Sequence, residues 1–546
     1  MNALAARTGL FPVVPTSPRQ FAAGSPERAS TRAALEALRA ESFDIGSRIG
    51  GRHVRTGRTA PIRSPHDHDL RLGQVHRGGP TEMAAAIDAA LAAARWWGAL
   101  PWEERVAPFL RAADMLEYGP WRDRLNAATM LELSKTSYQA DIDAACETID
   151  FLRANVANML AMYEVQPGSL PGMWNQTEYR PLEGFVYAVT PFNFTCMNNL
   201  AFAPAILGDV VVWKPATDAS LVAHLSLELL REAGLPDGVI NIVYGEGSEI
   251  GSLPLQHRDL AAVHFTGSTE TFQGIWRKVG ENVARYRNYP RLVGETGGKN
   301  FVLAHPSADV EPLAAALIRG AYEYQGQKCS AASRLYAPKS LWPELRDRLV
   351  AGTDSVVVGD PTESATFVGA VINEAQHAKH AEVLREARTE ARVLVGGETD
   401  GSRGWFVDPT VIEVDDPHSR FMTEEFFAPI LSAYVYEDSA WPEVLDLIDT
   451  STTYGLTGAI FAADANAAEE ANAALRYAAG NIYFNDKPTG SVVGQQPFGG
   501  GRASGTNDKA GTIWNLIRFA SSRSLKRNHL DVSDYRYPHL QPDRDA

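Results

Sequence analysis

The sequence predicts an α/β protein made of two successive sheet-containing units. Three observations carry that prediction. Between residues 185 and 267, β-branched runs alternate with helical stretches, the pattern of a parallel sheet covered on both faces in a doubly wound arrangement. A second alternation runs from "KNFVLAH" at Lys299 to "GNIYFND" at Gly480. The chain also has 546 residues, too many for one ordinary core.

In chain order, the first 26 residues hold Arg7 and Arg19 and no acidic residue, a composition shared with transit peptides. Pro12, Pro15 and Pro18 interrupt any amphipathic helix there, so a loose arm is the expectation. From Ser30 to about Met162 the pattern reads as mainly helical, with "TEMAAAIDAALAAARWW" and "WRDRLNAATMLELSK" the clearest stretches. "VQPGSLPGMWNQTEYRPLE" is rich in Pro and Gly and predicts an extended excursion. "FVYAVTPFN" reads as a buried strand, "NLAFAPAIL" as a helix and "DVVVWKP" as the next strand. "ASLVAHLSLELLREAG" is an amphipathic helix that stops at Gly234, with Pro236 soon after. "VINIVYG" and "AAVHFTG" supply two more strands, and "SVVVGD", "RVLVGG", "APILSAYVYE" and "GAIFAAD" build the second unit. The closing "SSRSLKRNHLDVSDYRYPH" has no period and reads as an interface strand or a tail.

Composition excludes several function classes. A formal net charge of −15, from 51 basic and 66 acidic residues, argues against nucleic acid or an anionic membrane as partner. Hydrophobic residues at 45% and charged residues at 21% fit a soluble globular chain. The longest apolar stretch, "FAPAILGDVVVW", is broken by Pro204, Gly208 and Asp209, well short of the ~18–20 residues a bilayer span needs. Three cysteines without regular spacing make neither a disulfide framework nor a zinc site, so no metal is expected and a reducing compartment is the default.

One of those cysteines, Cys329, sits in "YEYQGQKCSAASR", behind a glycine, two glutamines and a lysine and ahead of small residues. A neighbouring positive charge favours a thiolate, and small neighbours leave room for a substrate. On these residues alone, a reactive thiol and a half-buried loop cysteine are equally good readings. "GETGGKN" sets Glu295 among glycines where a backbone can approach a ligand, or where a turn glutamate is solvated. "TPFNFT" ends a strand with Asn193, either an amide donor for an oxyanion or a turn former. "GEGSEIG" is a near miss for a dinucleotide fingerprint, with one residue too many. In "HFTGSTE", Gly267 permits a tight turn and Ser268 caps a helix whose N-terminus suits a pyrophosphate, or is simply capped.

The order of Asn193, Lys214, Phe265–Ser268, Glu295, Cys329, "EEFFAP" and "PFGG" resembles the aldehyde dehydrogenase superfamily, from about Gly24 to about Phe519. Within it, "GSPER", "ADIDAACETIDFLR", "YPRLVGETGGKNFV", "STTYGLTGAIF" and "NDKPTGSVVGQQPFGGGRASGTNDKAG" resemble the members that oxidise L-glutamate γ-semialdehyde to L-glutamate in proline breakdown. The resemblance implies a Rossmann-like NAD-binding domain, an α/β catalytic domain and a small oligomerisation extension. It divides the chain into 1–163 with 184–297 for NAD binding (501–517 returning to it), 298–500 for catalysis, and 164–183 with 518–546 for oligomerisation. It implies Cys329 as nucleophile, Glu295 as the base for the deacylating water and Asn193 as the oxyanion-hole amide. Lys214, Phe265, Gly267 and Ser268 would meet the adenosine and pyrophosphate of NAD, and Glu425 with Phe427 the nicotinamide ribose. Ser330, Gly490 and Ser491 would hold the substrate carboxylate, Glu147 its ammonium, and Phe194 and Phe498 its aliphatic chain. A homodimer or higher homo-oligomer in the cytoplasm, or in the mitochondrial matrix of a eukaryote, is the matching expectation.

Two positions depart from the family pattern. Thr217 stands where many NAD-preferring relatives carry a glutamate, which leaves NADP possible. Ala428 stands where glycine is common. Cys146 and Cys196 fit none of these roles and are expected to pack. A dehydrogenase for other aldehydes is the rival reading, disfavoured by the "TGSVVGQQPFGG" block. A non-catalytic descendant should have lost Cys329, Glu295 or Asn193, and all three are present.

Overall fold

The computed structural model describes residues 14–541. Two seven-stranded sheets organise it. The first contains β1 (Ser47–Ile49), β2 (Arg52–Val54), β3 (Phe185–Thr190), β4 (Val211–Pro215), β5 (Ile240–Ile242), β6 (Leu260–Thr266) and β7 (Arg291–Glu295), in the order β7-β6-β3-β4-β5-β1-β2. Strands β3 to β7 are parallel, and β1 and β2 close one edge antiparallel. The second contains β8 (Asn300–Ala304), β9 (Ala332–Pro338), β10 (Arg392–Val395), β11 (Thr410–Val414), β12 (Ile430–Tyr436), β13 (Thr457–Phe461) and β14 (Asn481–Phe484), in the order β10-β11-β12-β9-β8-β13-β14. Only β10 runs antiparallel.

Helices cover both faces of each sheet, so the central strands read as unbroken apolar runs rather than alternating ones. Val186, Val211 and Val212 are fully buried, each contributing roughly 1.5–3 kcal/mol by leaving water. Trp213, also buried, donates its indole N–H to Thr190 Oγ1 at 3.0 Å. The chain passes from the first sheet to the second between Glu295 and Asn300, and this crossing lies beside the site. Residues 501–506 come back to that crossing. Thr506 N donates to Gly294 O, and Thr296 N donates to Ser504 O.

The helical reading of residues 30–162 holds for Pro26–Ala40 and from Pro80 onward but fails between 43 and 76. There the chain forms five strands, three of them in a separate small sheet. The stretch Thr59–Ser64 alternates exposed and buried residues strictly, a period of two that outweighs its polar composition. "GEGSEIG" makes only a four-residue helix, Gly247–Ile250. The excursion and the closing segment explain one another. Met173–Pro181 and Ala520–Asn528 pair antiparallel from Pro181↔Ala520 to Met173↔Asn528, a ribbon apart from both sheets.

The expectation of a loose N-terminal arm is corrected for its described part, residues 1–13 lying outside the described residues. Thr16 donates from its backbone N–H (2.9 Å) and its hydroxyl (2.7 Å) to Asp150, and Arg19 N donates to Asp141 at 2.8 Å. Buried carboxylates of the helical layer need donors, and this segment supplies them.

Candidate active site

The nucleophile candidate follows a strained turn. After the helix Val310–Tyr322, Tyr324 (φ 52°), Gln325 (φ 56°) and Gly326 (φ 66°) are all left-handed. Two of them carry side chains that disfavour this region, so the surroundings must impose it. Gln325 Nε2 donates to Ser134 O (2.9 Å) and Ala370 O (2.8 Å), and Ile372 N donates to Gln327 Oε1 (2.9 Å). Gly326 has no alternative, because a Cβ there would collide with the Ala428 carbonyl. Cys329 emerges half-buried, its carbonyl accepting from Asn300 Nδ2 at 2.7 Å.

The proposed influence of Lys328 on the thiol is corrected. Its ammonium turns away to Glu323 at 2.9 Å. Burial, and then the carboxyls of Glu295 and Glu425, push the Cys329 thiol well above its ordinary value, so without a bound cation or an accepting base it is neutral.

Asn193 lies just past β3, buried, and donates from Nδ2 to Gln327 O at 3.0 Å, beside the nucleophile turn. Glu295 ends β7. Burial raises it to about 8, opposed by Lys509 and reinforced by Asp508, and its Oε1 has no hydrogen-bond partner among the described residues. A carboxyl poised there accepts a proton near neutral pH.

These three groups line one cavity of about 750 Å³ together with Glu147, Phe194, Ser330, Gly490, Ser491 and Phe498, all six of the substrate residues read from the sequence. Gly490 takes φ 91°, which a side chain would resist. Ser330 and Thr489 hydroxyls lie 2.7 Å apart, tying the residue after the nucleophile to the Gly490 loop. Glu147 closes a π-helical stretch, Asp141–Glu147, that leads into the helix Thr148–Tyr163. Burial, and then Asp143, raise it to about 7. The Cys196 thiol donates to it at 2.8 Å, a role for Cys196 that no short-range sequence signal announces. Cys146 also lines the cavity, buried, with its thiol pushed up to about 12 by desolvation. Thr16, Pro18, Gln20 and Phe21 form part of the wall, a long-range contact equally silent in the sequence.

The cofactor candidates gather at the C-terminal ends of the parallel strands, where α/β sheets take nucleotides. Lys214, near the end of β4, is buried and donates to Pro215 O at 3.2 Å; burial lowers its pKa, with Glu246 opposing. Ser268 caps the helix Thr269–Glu281, its Oγ accepting from Thr271 N at 3.3 Å. The Phe265 ring stacks on Phe272 at 5.5 Å, so this residue packs the sheet and only its backbone faces the strand ends. Gly267 has no room for a Cβ against that ring. From the second unit, Glu425 Oε1 accepts from Gly298 N at 2.8 Å and is raised to about 7 by burial. Phe427, at φ 60°, meets Phe192 edge-on at 5.9 Å. An ammonium with spare donors, a 13-residue helix N-terminus and a carboxylate acceptor fit the ribose and diphosphate groups of a dinucleotide. Ala428 keeps a negative φ, so the position needs no glycine.

Residues 53–525 match the Aldehyde dehydrogenase family. The delta-1-pyrroline-5-carboxylate dehydrogenase of Agaricus bisporus is 45% identical over 541 residues, 98% of this chain and 99% of its own length. The human mitochondrial delta-1-pyrroline-5-carboxylate dehydrogenase is 45% identical over 525 residues, 95% of this chain and 93% of its own. The crystal structure of the Delta-pyrroline-5-carboxylate dehydrogenase from Mycobacterium tuberculosis bound with NAD superposes with a TM-score of 0.93 at 48% identity, covering 97% of this chain and 98% of that one.

Proposed function

The chain belongs to the aldehyde dehydrogenase family, and from that premise we propose that it oxidises L-glutamate γ-semialdehyde to L-glutamate with NAD, with NADP as a possible alternative. The observation that carries the reading is the convergence of Cys329, Glu295 and Asn193 with Glu147, Ser330 and the Gly490–Ser491 loop in one cavity. Three of these suit aldehyde chemistry, and the others suit a zwitterionic head group.

Cys329 Sγ attacks the aldehyde carbon while its proton passes to the Glu295 carboxylate. The carbonyl oxygen becomes an oxyanion, held by Asn193 Nδ2 and the Cys329 backbone N–H. A bound nicotinamide would supply the hydride acceptor for the thiohemiacetal carbon. Cys329 is left as a thioester. Glu295, having passed its first proton to solvent, takes another from the water that adds to the thioester and returns it to the departing sulfur, so glutamate leaves as the thiol re-forms. Glu147 meets the substrate ammonium, the Gly490–Ser491 loop and Ser330 its carboxylate, and Phe194 and Phe498 its methylenes. Lys214, the Phe265–Ser268 turn, Glu425 and Phe427 would hold the dinucleotide.

We assign 1–163, 184–297 and 501–517 to dinucleotide binding, 298–500 to catalysis, and 164–183 with 518–546 to subunit contact in a homodimer or larger assembly. An isolated two-stranded ribbon is marginal in water, and this one leaves Trp174 44% exposed, with Val532, Tyr535 and Tyr537 also exposed in the segment that follows it, surface that a second subunit would cover. Three free cysteines, one of them needed as a thiol, suit a reducing compartment such as the cytoplasm or a mitochondrial matrix.

The test is steady-state nicotinamide reduction with glutamate semialdehyde, run with each cofactor on the wild type and on Cys329→Ala. The wild type should turn over and Cys329→Ala should not. Retained oxidation in Cys329→Ala would overturn the reading.

A further inference from the structure

Lys135 is completely buried, and a lone ammonium is among the costliest groups to bury. Its Nζ lies 2.6 Å from Asp143 Oδ2, 4.1 Å from the centre of the Phe194 ring and 4.4 Å from that of Tyr324. Phe194 adjoins Asn193, and Tyr324 opens the left-handed turn that presents Cys329. Asp143 does more than neutralise the lysine. Its Oδ2 accepts from Thr195 N and its Oδ1 from Cys196 N, each at 2.9 Å, fixing the loop just past Asn193. Ser134, the residue before Lys135, is itself left-handed (φ 57°), and its carbonyl and hydroxyl hold Gln325 and Ala370.

Buried ion pairs are seldom retained for stability alone, since apolar residues of similar volume often serve as well. A cation in contact with both rings gives the two loops a common anchor of fixed geometry, which an aliphatic side chain would supply less specifically. We propose that Lys135 is a positioning residue that clamps the oxyanion-donor loop, Asn193–Cys196, to the nucleophile turn, Tyr324–Cys329. This rests on the roles given above to Asn193 and Cys329. The hydrogen bond from Asn193 to Gln327 spans the same two loops, and Lys135 sets the spacing over which the amide must reach the oxyanion.

The experiment compares Lys135→Met, Lys135→Arg and Asn193→Ala singly, and Lys135→Met with Asn193→Ala together. Two rates are followed: aldehyde oxidation, and cofactor-free hydrolysis of 4-nitrophenyl acetate through Cys329. Lys135→Met should lower kcat for oxidation and the ester rate by about 30-fold or more, leaving KM for the dinucleotide within about twofold. Lys135→Arg, which keeps the cation, should recover at least a third of the wild-type rate. In the Lys135→Met background, Asn193→Ala should cost less than about threefold, against the 10²–10³-fold expected for loss of an oxyanion donor in the wild type. Fully multiplicative losses, or a Lys135→Met enzyme with wild-type rates, would overturn the proposal. If Lys135→Met does not fold, Tyr324→Leu removes one ring contact and keeps the ion pair; it should lower the ester rate about tenfold, and an unchanged rate would overturn the proposal. Cys329→Ala runs alongside: if it retains oxidation, the catalytic reading has failed rather than the clamp.

Discussion

The side-chain amide of Asn193 donates to the backbone carbonyl of Gln327 at 3.0 Å, and Gln327 stands two residues before Cys329. The oxyanion donor is therefore held beside the nucleophile before any aldehyde arrives, so little reorganisation is left for the reaction itself. Such preorganised donors usually supply a large share of the rate. Asn193→Ala should lower the burst rate of nicotinamide reduction by about 10²–10³-fold while leaving cofactor affinity within a few fold. Stopped-flow absorbance checks this, and a burst at the wild-type rate would remove Asn193 from the chemistry.

Glu295 offers a pH test. Its folded value is raised to about 8, chiefly by burial, so it stays protonated over a wider range than an exposed glutamate. A base works only when ionised, so the sign is fixed: deacylation should be slow at pH 6, climb about tenfold per unit, and level off above pH 8. Glu295→Gln should lose that limb, with both the burst of nicotinamide reduction and the later turnover slowed, because the same carboxyl takes the Cys329 proton and then the water proton. A variant with the wild-type pH profile would show that another group activates the water.

Much of this site was legible because its groups lie in short, unusual strings. "GETGGKN" and "GQKCSAAS" singled out Glu295 and Cys329 as candidates only, the ordered resemblance to aldehyde dehydrogenases gave them roles, and the strand–helix alternation placed their sheets. What was not legible depends on distant partners. Lys328 looked like an activating charge until Glu323 was seen to take it. Cys196 read as packing, yet it donates to Glu147, which lies 49 positions away. The strands between 43 and 76 hid behind polar residues, and the segment from Thr16 to Arg19 looked loose because its carboxylate partners, Asp141 and Asp150, lie more than a hundred residues on.

Cofactor choice turns on Lys214 and the carboxylate near it. Thr217 cannot repel a 2′-phosphate, but Glu246 acts on the Lys214 ammonium and pairs with Arg77 at 3.3 Å. It supplies negative charge where residue 217 does not. Removing one such solvent-screened charge is worth at most about 1 kcal/mol, or roughly fivefold. Glu246→Gln should therefore raise the NADP/NAD ratio of kcat/KM by up to about fivefold, and Thr217→Glu should lower it. Ratios unmoved by both changes would place the adenosine ribose elsewhere.

Substrate choice rests on the loop at Gly490 and Ser491. Glutamate semialdehyde carries its charges at the end opposite the aldehyde, so specificity requires the head to be anchored while the carbonyl reaches Cys329. Ser330 is tied through Thr489 to that loop, and Glu147 lines the same cavity. A hydroxyl and free backbone N–H groups suit a carboxylate, and an ionised Glu147 suits an ammonium. A hydrogen bond to a charged group contributes roughly 1.5–3 kcal/mol. Ser491→Ala should thus cost about tenfold or more in kcat/KM toward glutamate semialdehyde and little toward propanal, which has no head to hold. Glutamate should also compete with the semialdehyde, because it keeps the same head and chain. The measurement is the pair of efficiency ratios, wild type over Ser491→Ala, for the two aldehydes. Equal losses on both would mean that the loop shapes the cavity as a whole, and the head-group assignment would lose its physical basis.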